Sequence, residues 1–93
     1  MTKFTIAEAL QKGVDAARLG KKTVADKLFT AILKVQPDHA HANHNMGALG
    51  ISIGKIEEAL PFLRRALEAQ PTFPQFWLTY LDALSELKRW TEL

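Results

Sequence analysis

The side chains with the most chemical reach in this 93-residue sequence stand close together: His39, His41 and His44. On a helix His41 and His44 fall at i and i+3, one turn apart on one face, a geometry that holds a metal once a third ligand joins them. No HExxH stands here, cysteine is absent, and no carboxylate shares that face within a turn. No metal or other cofactor is therefore expected, and the histidines read as polar groups facing solvent or a ligand. Glu57 and Glu58 are not paired catalytic acids, because adjacent helical residues point about 100° apart and acids favour a helix start in any case. Arg64-Arg65 and Lys88-Arg89 are short basic pairs of the kind found on solvated faces. With no glycine-rich phosphate loop and no nucleophile beside a base, the sequence offers no catalytic constellation, and the expected activity is binding.

The elements that carry these residues are helices. Thr5 followed by Glu8 ahead of an apolar-periodic run is a capping-box signal, and it starts a helix over about 5–19. Gly20 breaks it. A second helix follows over about 22–35, with Val24, Ala25, Leu28, Phe29, Ile32 and Leu33 as its apolar stripe. Pro37-Asp38 makes a turn with Asp38 as the next N-cap, and helices are expected over about 39–53 and 56–69 with Gly54 between them. Pro61 should bend the latter without ending it. A fifth helix starts at Thr72, or else at Phe73, with Pro74 in its first turn, and ends near Lys88, after which Trp90 to Leu93 begin another that is not completed.

These elements repeat with a period of 34 residues. Asn43, Met46, Gly47 and Gly50 share one helical stripe, and the next helix answers it with Ala59, Leu63, Ala66 and Leu67, small where the backbones come closest. Gly47 and Ala59 are placed at that crossing. Shifted back by 34, Gly47 falls on Gly13, Gly54 on Gly20, Ala59 on Ala25, Leu63 on Phe29 and Pro71 on Pro37; shifted forward, Asn43 falls on Trp77, Met46 on Tyr80 and Gly50 on Leu84. The pattern resembles the tetratricopeptide repeat. The resemblance implies an all-α, right-handed superhelical array of antiparallel helix pairs with about five helices. A single domain over 1–93 would hold repeat 1 at about 6–39, repeat 2 at about 40–73 and part of a third at about 74–93.

The resemblance also implies a concave groove that holds a peptide or partner protein. In the first repeat its lining would be Ala7, Leu10, Gln11, Val14 and Arg18; in the second His41, His44, Asn45, Ala48 and Ser52; in the third Gln75, Leu78, Thr79, Asp82 and Glu86. These positions lie opposite the stripe that packs within each pair, so helical geometry agrees. Asn45 corresponds to the asparagine ladder of sugar-transferring relatives, although Gln11 and Thr79 stand at the equivalent positions. Only Arg18 is available for the family's carboxylate clamp, and that mode is not expected. Trp77 matches the family's bulky core position.

Composition sets the remaining bounds. The net charge of +2 arises from 12 basic and 10 acidic residues, a balance that gives nucleic-acid binding little support. No run approaches the roughly 18 apolar residues of a membrane span, so a cytoplasmic protein without a membrane role is the default expectation. The apolar stripe of the fifth helix has no partner in the sequence. This leads to the expectation of a homodimer, most simply two-fold, with Leu81, Leu84, Trp90 and Leu93 among its contacts. Two other readings stay open: the targeting segment of a larger glycosyltransferase- or sulfotransferase-like enzyme, and a module that serves only to self-associate.

Overall fold

The computed structural model describes the backbone of residues 4–92 and the side chains of residues 4–88. Five helices follow one another: α1 (Ile6–Arg18), α2 (Lys22–Val35), α3 (Ala40–Ser52), α4 (Ile56–Ala69) and α5 (Pro74–Glu92). The first, third and fifth begin at residues 6, 40 and 74, which reproduces the 34-residue period in the backbone. α4 runs continuously through Pro61.

Local chemistry fixes the helix ends. At the start of α1 the Thr5 hydroxyl accepts from the Glu8 amide at 3.1 Å and the Glu8 carboxylate accepts from the Thr5 amide at 2.9 Å. The backbone bond from Thr5, then its hydroxyl and then Lys12, hold the Glu8 carboxyl below its ordinary range. α3 is capped differently from the expectation. His39, not Asp38, is its N-cap, and its Nδ1 accepts from the Ala42 amide at 3.1 Å.

α1 and α3 both close in Schellman turns. Lys21 N–H reaches the Ala16 carbonyl and Gly20 N–H the Ala17 carbonyl; Lys55 and Gly54 repeat this with Gly50 and Ile51. The turn needs a left-handed residue, which Gly20 and Gly54 supply with φ of 77° and 80°. Thirty-four residues on stands Lys88, and no such turn forms. α5 therefore continues to Glu92 instead of ending near Lys88, and the backbone at Trp90 belongs to α5 rather than to a sixth helix. The Trp90 side chain and all of Leu93 lie outside the described residues.

Close approach within each pair depends on the absence of a side chain at one position. A Cβ built on Gly47 would stand 2.6 Å from Leu63 Cγ, and one on Gly13 would stand 2.9 Å from Phe29 Cδ1. The large partner at the crossing is thus Leu63 or Phe29. Ala59 meets both glycines: its carbonyl oxygen stands 3.4 Å from a Cβ built on Gly47, as expected, and its own Cβ stands 3.1 Å from one built on Gly50. Asn43 on the same stripe is fully buried, and its Nδ2 donates to the Pro37 carbonyl at 2.9 Å and the His39 carbonyl at 3.0 Å. Through this nitrogen the amide ties the turn between the pairs to α3, while its buried Oδ1 has no hydrogen-bond partner among the described residues.

α5 departs from the pattern of α3. It packs on α4 through Phe76, Tyr80, Ala83 and Leu87, with Phe76 and Ala83 buried among Ala66, Leu67 and Leu63 and their neighbours. Phe76, not Trp77, is the core aromatic. Trp77 is 43% exposed and its indole N–H donates to the Pro71 carbonyl. The reason is positional: Trp77, Leu81 and Leu84 match the stripe that α3 packs on α4, and no described element follows α5 to receive it. Val24 also leaves its expected place, standing 47% exposed while Ala25, Phe29 and Ile32 fill the core.

Helices α1 and α3 touch, as do α3 and α5, whereas α2 and α4 make no contact among the described residues. The layer whose members touch lies on the inside of the bend. The odd-numbered helices therefore line the concave side of an elongated body measuring 50 × 28 × 19 Å.

Candidate functional site

Two clusters form on the concave layer, one on each side of α3. The first is a cavity of about 300 Å³ where α1, α2 and α3 converge. Val14, Ala17, Ala48, Leu49 and Phe29 give it apolar walls, and Arg18, Lys22, Asn45 and Ser52 supply its polar groups. Five expected groove residues, Val14, Arg18, Asn45, Ala48 and Ser52, meet here. Lys22, whose ammonium donates to the Ser52 carbonyl at 3.3 Å, was not anticipated from the sequence. The signal was available in the length of the turn: three residues separate α1 from α2, so the first side chain of α2 must stand beside the last of α1.

The second cluster joins α3 to α5. His44 stacks on Phe76 with ring centroids 4.8 Å apart, and His41 meets the edges or faces of Phe73 and Phe76 at 5.2 Å each. The Phe73 and Phe76 rings are themselves 4.5 Å apart. His44 Nε2 lies 2.8 Å from Thr79 Oγ1, and that hydroxyl donates its one proton to the Gln75 carbonyl at 3.0 Å. With the hydroxyl proton so directed, Nε2 is the donor of the His44–Thr79 bond. Burial, chiefly, and the neighbouring His41 charge push its pKa below the ordinary value, against an opposing hydrogen bond with Asn45. Among the described residues no three His, Asp or Glu side chains converge as a metal set.

The remaining expected residues do not line the cavity. Gln11 is exposed and donates to the Asp15 carboxylate at 2.9 Å; Leu78 and Asp82 are exposed on α5; Leu10 packs into the first core. Thr79 is taken up by His44 and Gln75. What results is a surface with an apolar pocket flanked by two cations and an amide, next to a histidine–phenylalanine stack. Such a surface has the chemistry to hold an extended chain by its backbone and one apolar side chain.

Comparison with known proteins agrees with the repeat geometry. The family profile of the tetratricopeptide repeat matches residues 10–74. No curated protein sequence matches the chain. Among solved structures, the "MamA RS-1 ArsTM double mutant" is similar, with a TM-score of 0.77 and 26% identity over 95% of this chain and 51% of that one. The chain thus spans about half the length of that structure. Among the described residues no helix is long and apolar enough to cross a membrane. The capped helix pairs, the small-residue crossings 34 residues apart and the profile match together make this chain a member of the tetratricopeptide-repeat family.

Proposed function

We propose that the chain is a protein-interaction module without catalysis of its own, holding an extended segment of a partner protein along the concave layer of α1, α3 and α5. The observation that carries this reading is the cavity between α1, α2 and α3, apolar within and edged by Arg18, Lys22 and Asn45. A side chain of the segment enters the cavity, the Asn45 amide pairs with the segment's backbone, and the two cations favour an acidic neighbour in it. The exposed Leu78 and Asp82 on α5 extend the contact beyond the cavity.

A peptide array supplies the ligand, and calorimetry with Asn45→Ala tests the site. Loss of the amide should weaken binding by about 1–3 kcal/mol through the backbone groups it leaves unpaired, with thermal stability unchanged. Undiminished affinity would remove Asn45 and its cavity from the binding surface.

A further inference from the structure

The two ends of the array carry uncovered apolar surface, convex at one end and hollow at the other. At the α5 end Trp77, Leu81 and Leu84 stand out as a ridge, 43%, 54% and 37% exposed, with no described element packed over it. At the opposite end a trough of about 560 Å³ runs between α1 and α2, and no residue of α3, α4 or α5 lines it. Leu19, Val24 and Leu28 give it apolar walls, together with Phe4, over whose ring the Lys12 ammonium lies at 4.9 Å. Lys21 and Lys27 join Lys12 at its edge, with Asp15 the one acid there.

Charge is divided in the same way. Through Gln36 the sequence carries seven basic and three acidic residues; from Pro37 onward it carries five basic and seven acidic. The half that holds the trough is positive and the half that holds the ridge is negative. A two-fold pairing of α5 with α5 would cover the ridge, leave the trough bare and bring the two negative halves together. A heterologous contact between one copy and the next sets ridge into trough and opposite charges side by side.

We propose that copies of this chain associate head to tail, the α5 ridge of one seated in the α1–α2 trough of the next. The contact is heterologous, so each copy offers a free end to another and growth has no natural stop at two. The concave cavity takes no part in it and stays open to a peptide.

Sedimentation velocity over a micromolar to millimolar series tests this, with circular dichroism to show that each variant is folded. For the wild type the average mass should rise steadily with concentration, without a plateau at the dimer, and should fall when salt is raised. Leu81→Lys spoils the ridge and Val24→Glu spoils the trough, each with a charge repelled by the opposing end, and either should weaken association by about tenfold or more. Mixed in equal amounts, these two variants should form a one-to-one dimer that grows no further, because one retains a trough and the other a ridge. Leu84→Lys and Leu19→Glu repeat the design should either first choice unfold. A wild type that stays monomeric at millimolar concentration would overturn the proposal. So would a dimer plateau indifferent to Val24→Glu, which is the result for two-fold pairing through α5.

Discussion

Helices α3 and α5 occupy the same place in successive repeats, yet they are held by different physics. α3 is gripped on two sides: Gly47 and Gly50 admit Leu63 and Ala59 of α4, while Ala42 and Leu49 enter the core shared with α2. α5 is gripped on one side, through Phe76, Tyr80, Ala83 and Leu87, and its other stripe carries Trp77, Leu81 and Leu84 in the open. Small residues at a crossing thus specify a partner helix at short range. Large residues in the corresponding places leave a surface that fits no equally close partner.

The sharpest way to break this contrast is to remove the one large anchor of α5. Phe76→Ala should cost about 3–5 kcal/mol, as for other buried aromatics, and should lower the hydrogen-exchange protection of α5 before that of α3. Equal loss across both helices would show that α5 is not a separately held element. Gly47→Leu attacks the other side. Its side chain would enter the space of Leu63, and overpacking of that kind costs about 1–3 kcal/mol; a variant with the parent's melting temperature would mean that the two helices do not meet there.

A smaller effect should come from pH. His44 sits against Phe76 at the joint of α3 and α5, and its folded pKa is lowered by burial first and by His41 second. Above the ordinary histidine value of about 6.5 both the folded and unfolded forms are neutral, and the stabilising contribution is complete. As pH falls below that value the unfolded chain takes up a proton that the folded one resists, so stability declines until the folded pKa is passed. The melting temperature should therefore drop between pH 7 and pH 5, and His44→Gln should flatten that part of the decline. An identical profile in the variant would place the titration elsewhere.

Much of the fold was legible in the sequence, because turn glycines, a capping box and small-residue crossings act through local sterics. Gly20 and Gly54 marked two turns correctly by residue type alone. The error at Lys88 came from extending the period past the last glycine able to sustain it. Trp77 was misplaced for a related reason. Its register was read correctly, but burial depends on which neighbour exists, and the face of α5 that meets α4 runs through Phe76 instead.

The groove was legible in part. The family resemblance, with which helical geometry agreed, put Val14, Arg18, Asn45, Ala48 and Ser52 on the concave side, and they do surround one cavity. Periodicity along one helix says nothing of what a neighbouring helix inserts. For that reason the engagement of His41 and His44 with Phe73 and Phe76, and the arrival of Lys22 from α2, lay beyond it.

The central claim is that a partner segment lies on the concave layer and enters the cavity between α1, α2 and α3. Nitrogen–proton correlation spectra recorded while a peptide from the array is titrated in test it most directly. The largest and saturating shifts should fall at Val14, Arg18, Asn45 and Ser52, with little change at Asp26, Thr30 and Lys34 on the outer side of α2. Shifts concentrated at those three residues, with the cavity amides unmoved, would contradict the account.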